Sequence, residues 1–130
     1  MAYLKPPLFA RKVFNPIAMR FGLRKTEPLA VRRRRTGRLE RVPVIPVEHE
    51  GARYVVSARG ESDWVRNARE AGEIELGGER LRASEIPVEG RAPVIAAYRA
   101  KAGKFVDSYW KKLPDAADHP VFRLEPKQAA

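Results

Sequence analysis

Three glycine-bearing turns constrain this chain most. Thr36-Gly37, Glu50-Gly51 and Gly77-Gly78 each lie between short runs of β-prone residues. Glycine adopts the positive φ of a tight hairpin turn without steric cost. Leu29 and Val31 lead through four arginines into the first turn, and Val42, Val44, Ile45 and Val47 follow it. Tyr54-Val55-Val56, after the second turn, is the most β-prone triplet and reads as a central strand. Ile74 and Leu76 precede the third turn, Leu81, Ala83 and Ile86 follow it, and Val121 to Leu124 reads as a late strand. Pro43 and Pro46 remove backbone donors from the second run, which predicts an edge or a bulged strand there.

Between these runs lie helix signals. Ser62 is a candidate N-cap, Asp63 suits a first turn and Gly72 a C-terminal stop, which predicts a helix over 63–71. Residues 89–103 read as a second helix, with Pro93 near its first turn, and 105–113 as a third. Four to six strands, mostly hairpin-connected, with helices off the sheet predict an α+β domain built on a small barrel.

The 130 residues fit one domain. Cysteine is absent, which excludes disulfides, thiolate metal sites and cysteine nucleophiles. No apolar run approaches a membrane span, and the start lacks the form of a signal peptide, so a cytoplasmic protein is expected. The net charge of +10 lies entirely in residues 1–41, which hold 12 Lys/Arg against 2 Asp/Glu. That third should meet an anionic partner. Residues 3–25 mix apolar and basic side chains at roughly helical spacing. They suit a segment packed over the barrel with a solvated basic face, or an interfacial helix on the anionic inner face of a membrane.

Three constellations bear on chemistry. Arg32 to Arg35 form either a phosphate clamp or a solvated, charge-protected edge; on a strand they would alternate between faces. Arg59-Gly60 runs into the Ser62 helix start, where free N–H groups and a positive dipole end favour anions, or it is a plain connector. Trp64 and Asn67 share a helix face; the ring suits core or ligand wall, and the Asn calls for a polar partner. His49 and His119 show no metal-ligand spacing, so no metal site is expected. There is no Walker loop, dinucleotide fingerprint or nucleophile elbow, and an enzyme built from this chain would borrow its reactivity from a cofactor. The Arg run lacks the stacking aromatics of a nucleic-acid surface.

Taken in order, Arg-Arg-Thr-Gly-Arg at 34–38, Val-Pro-Val-Ile-Pro-Val at 42–47, Gly-Ala-Arg-Tyr-Val-Val-Ser at 51–57, Arg59-Gly60, Trp-Val-Arg-Asn at 64–67 and Ala-Asp-His-Pro-Val-Phe-Arg-Leu at 117–124 resemble the deazaflavin-dependent nitroreductase family, which uses coenzyme F420. The resemblance implies a split β-barrel over 28–126, the fold of flavin-mononucleotide-binding proteins, after a basic amphipathic segment over 1–27 and before a polar tail over 127–130. It implies an oxidoreductase passing hydride from reduced F420 to a planar, electron-poor acceptor, a quinone or a nitro compound. FMN is the alternative cofactor, and a non-catalytic holder of F420, flavin, haem or fatty acid the alternative function. Arg35, Arg38, Arg41 and Arg59 would bind the anionic part, with Pro43, Gly60, Trp64 and Asn67 also on the cofactor. Tyr98, Phe105, Tyr109 and Trp110 would face the substrate. A small-molecule substrate, no nucleic acid and a homodimer complete the implied picture. Nitroimidazole-reducing members carry Ser before the strand-end basic residue; this chain has Ala58.

Overall fold

The computed structural model describes residues 26–127. The N-terminal segment expected over 3–25, with its membrane or barrel contact, and the tail residues 128–130 lie outside the described residues.

Among the described residues seven antiparallel strands form one sheet. They are β1 (Glu27–Arg32), β2 (Leu39–Val44), β3 (Val47–His49), β4 (Ala52–Val56), β5 (Glu73–Leu76), β6 (Glu79–Glu85) and β7 (Val121–Pro126). Their order across the sheet is β2-β1-β5-β6-β7-β4-β3. The two edges, β2 and β3, are consecutive in the chain and joined only by Ile45 and Pro46. A seven-stranded sheet whose edges are tied by two residues has to curl until those edges nearly meet. The fold is an α+β split β-barrel.

Pro43 lies on an edge strand, as its missing donor requires. It sits opposite Pro28 of β1. The Pro28 carbonyl accepts from the Gly77 N–H, on the β5 side, so this pair exchanges no ladder bonds and neither proline costs the β1–β2 ladder a donor. Tyr54-Val55-Val56 lies on β4, between β3 and β7, as the triplet predicts.

Among the described residues three α-helices pack on this sheet: α1 (Asp63–Ala71), α2 (Arg91–Ala102) and α3 (Asp107–Lys112). Short 3-10 turns at Val88–Gly90 and Gly103–Val106 precede the last two and account for the longer spans expected from sequence. Gly72 ends α1 in the left-handed region at φ 71°, its N–H on the Ala68 carbonyl at 2.8 Å. Ser62 occupies the N-cap position, but its buried hydroxyl forms no capping hydrogen bond.

Apolar side chains divide into two clusters because β4 and β7 are buried on both faces. Val55, Phe122 and Leu124 join Leu29, Leu76 and Leu81 inside the barrel, closed by Trp64, Val65 and Ala68 of α1. Val56 and Val121, one residue along and so on the opposite face, meet Val94, Ile95 and Tyr98 of α2, Trp110 of α3 and the nearby Val106. Among the described residues no helix is long and apolar enough to cross a membrane.

Candidate functional site

The Arg run turns rather than continuing β1, so its side chains do not alternate between faces as they would on a strand. Only Arg32 belongs to β1; the chain reverses over Arg34 to Thr36. The Arg33 N–H donates to the Arg38 carbonyl at 2.8 Å, and Gly37, at φ 73°, donates to the Arg33 carbonyl at 3.0 Å. Consecutive arginines in a turn fan out instead of alternating.

Asn67 of α1 holds this turn in place. Its Oδ1 accepts from the Arg34 N–H at 3.1 Å and from Arg34 Nη1 at 2.8 Å, and its Nδ2 donates to Glu40 Oε1 at 3.0 Å. A groove of about 500 Å³ lies between the turn and the start of α1. Arg33, Arg34, Arg35 and Arg66 line it, with Glu40 and Asp63 between them. Four guanidinium groups outweigh two carboxylates, so the groove favours an anion of extended shape.

A second wall forms where β4 ends. The Ser57 N–H donates to the Pro120 carbonyl at 2.9 Å, and Ser57 Oγ donates to the Gly60 carbonyl at 2.5 Å, closing a tight turn over Ala58 and Arg59. Gly60 has φ 90°, a backbone setting that disfavours any side chain. Arg59 is half-buried beside Tyr98 of α2. Burial pushes the Tyr98 hydroxyl well above the usual phenol range and the nearby Tyr109 adds to this, while the Arg59 cation opposes it. Tyr98 therefore keeps its proton throughout the physiological range.

The expected residues are distributed between these two walls. Arg35 and Asn67 meet at the groove; Arg59, Tyr98 and Tyr109 meet at the strand end. Asp63 of the groove follows Arg59 by four residues, so their Cα atoms lie at most about 14 Å apart. Arg41 and Pro43 alternate on β2 with Glu40 and Val42, so they face away from the groove and the barrel interior. Arg38 is exposed in the hairpin loop and does not line the groove. Trp64 is 5% exposed, in the barrel core, its ring 5.9 Å from that of Phe122, because the apolar face of α1 turns inward. Trp110 is likewise buried, stacked on His119 at 4.0 Å. Tyr109 is half-buried and Phe105 is 49% exposed.

Sequence reasoning gave no role to Arg66, and it missed an ionic chain beneath the site. Arg69 of α1 bridges Glu61 and Glu85, the latter at 2.7 Å, and Glu85 also accepts from Arg91 at 3.2 Å. The buried Arg91 donates further to the Ile86, Ala116 and Ala117 carbonyls. Hydrogen bonding by Arg69 holds the Glu85 carboxyl below its usual range, against the effect of burial. Glu61 and Arg69, eight apart, and Glu85, sixteen further on, carry no local signal of contact; only the folded sheet brings them together. Among the described residues no group of three or more metal-ligating side chains could hold an ion.

No protein-family model matches the chain, and no curated protein matches it in sequence. Solved structures are similar to it. An F420-H2 dependent reductase, FDR-A, is 19% identical over 78% of this chain and 95% of its own, with a TM-score of 0.58. HutZ, the haem storage protein of Vibrio cholerae, is 20% identical over 88% of this chain and 90% of its own, TM-score 0.60. An FAD-binding protein of Mesorhizobium loti is 15% identical over 95% of this chain and 90% of its own, TM-score 0.52. At such identities the likeness is one of fold alone, the split β-barrel.

Proposed function

We propose that the chain is an oxidoreductase that binds reduced coenzyme F420 and delivers hydride to a planar, electron-poor acceptor, a quinone or a nitro compound. One observation carries this reading. A groove lined by four arginines lies within a few residues of chain from a second cation, Arg59, set beside the buried Tyr98 and the half-buried Tyr109. That arrangement suits a ligand with an aromatic head and a long anionic tail. The donor set fits the coenzyme: Arg33, Arg35 and Arg66 would take phosphate and tail carboxylates, and Arg59 the part nearest the ring. The fold likeness to an F420-H2 dependent reductase supports the same reading.

When bound, the reduced deazaflavin supplies a hydride, two electrons in one step. The chain's own residues have three tasks. Guanidinium groups bind and orient, since forked donors fix a phosphate or carboxylate in direction as well as place. The wall of Tyr98, Tyr109 and Trp110 excludes water from the reacting face. The Tyr98 hydroxyl, held protonated by burial, and the more accessible Tyr109 hydroxyl keep a proton close to where an acceptor gains charge.

The test is a titration of the purified protein with F420, followed by menadione-dependent oxidation of the reduced form. Micromolar binding and steady oxidation are expected. Absence of binding at micromolar coenzyme overturns the proposal. Binding without turnover leaves the second reading, a holder of F420, flavin, haem or fatty acid. Ala58 and the fold likeness to a haem storage protein favour that reading. His119 weighs against the haem version, because both of its ring nitrogens are engaged by carbonyls.

A further inference from the structure

His119 is 0% exposed and has two hydrogen-bond partners of the same kind. Nδ1 lies 2.9 Å from the Ser57 carbonyl oxygen and Nε2 lies 2.6 Å from that of Leu113. Carbonyl oxygens only accept. A neutral imidazole has one N–H, so one of its nitrogens would press a lone pair against a carbonyl lone pair. Turning the ring over puts carbon atoms opposite both oxygens and loses both bonds. Only the form with two N–H groups satisfies this cage.

The face of the ring agrees. It lies on the Trp110 indole at 4.0 Å and 10°, where a cation is attracted by the aromatic quadrupole. Charged groups on the surrounding elements are Arg59 after β4, Arg91 and Arg99 on α2, Asp107, Lys111 and Lys112 on α3, and Asp115 and Asp118 in the turn of His119 itself. Arg99 stands 5.2 Å from the same indole, and Arg91 is committed to Glu85 and to carbonyls of the preceding turn. None of them forms a hydrogen bond or ion pair with the ring.

We infer that His119 carries a proton on each ring nitrogen and is the positioning residue of the strand-end loop, joining Ser57 to the end of α3. Ser57 then has its N–H, its carbonyl and its hydroxyl all engaged, at Pro120, His119 and Gly60. Ala58 and Arg59 leave from that fixed point, and Leu113 closes the helix that presents Tyr109. Loss of one ring proton breaks one of the two struts. The inference does not depend on which ligand Arg59 meets.

The chain has two histidines, so the variant His49→Gln leaves a single ring to observe. With ring-labelled histidine, nitrogen NMR at neutral pH should show two slowly exchanging N–H groups on His119. On raising pH, loss of one should coincide with shifts of the Ser57, Ala58, Arg59 and Gly60 amides and with faster exchange there. A single ring N–H at neutral pH overturns the inference. So does loss of the second proton while those four amides stay unmoved.

Discussion

The groove and the strand-end wall hold their cations by opposite means. In the groove the arginines are exposed, and among the described contacts their turn is tied to α1 mainly through one side chain, Asn67. At the wall Arg59 is half-buried and its loop is bonded at Ser57, against a face of packed aromatics. The first arrangement attracts charge over a distance and tolerates variation in the ligand. The second sets one cation in one place. A long anionic ligand can be gathered by the groove and registered by the wall.

The largest expected effect strikes the support of the wall. Arg91→Ala removes a buried guanidinium and leaves Glu85 and three carbonyls short of donors. Breaking such a pair costs about 3–5 kcal/mol. Thermal denaturation should show a fall of many degrees; an unchanged midpoint means the network is ornamental. Next is Arg59→Ala, which should weaken coenzyme binding by about 1.5–3 kcal/mol, the worth of a charge-assisted hydrogen bond. The melting temperature should hardly move, and Arg32→Ala should do far less to binding. Equal losses from the two variants would place the phosphate elsewhere. Smallest is Arg35→Ala, which should cost under about 1 kcal/mol of affinity because the side chain is exposed. That loss should shrink further at high salt, where exposed charges are screened, whereas the Arg59 effect should persist. Matching salt dependence at both positions would dissolve the distinction between groove and wall.

Acid should act on the support as well. The Glu85 carboxyl is held below its ordinary range mainly by Arg69, so its contribution is present above the unfolded carboxylate range and is lost as pH falls through the depressed value.

Much of the fold was legible because turns and helix ends are local. Thr36-Gly37, Gly77-Gly78 and the span 63–71 needed only their own residues. Pro43 pointed to an edge because an edge strand has an unpaired side, where a missing N–H costs no ladder bond. The site was legible in composition and less so in placement. Arg35 and Asn67 could be named together, but the bond that joins their elements runs through Arg34. For Trp64 the resemblance argued for a ligand wall and the apolar face of α1 for core, and the structure buries the ring in the barrel. His119 looked inert from its spacing, since its two partners lie 62 and 6 residues away.

β7, the last strand among the described residues in chain order, occupies a middle place, between β6 and β4. A chain emerging from the ribosome can form β1, β2, β5 and β6 on one side and β3 with β4 on the other. The slot between them stays empty until residue 126 has been synthesised. Such late, long-range pairing is slow and leaves two raw strand edges exposed meanwhile. Shortening the chain by its final strand would therefore not trim this protein; it would leave two half-sheets with nothing to join them.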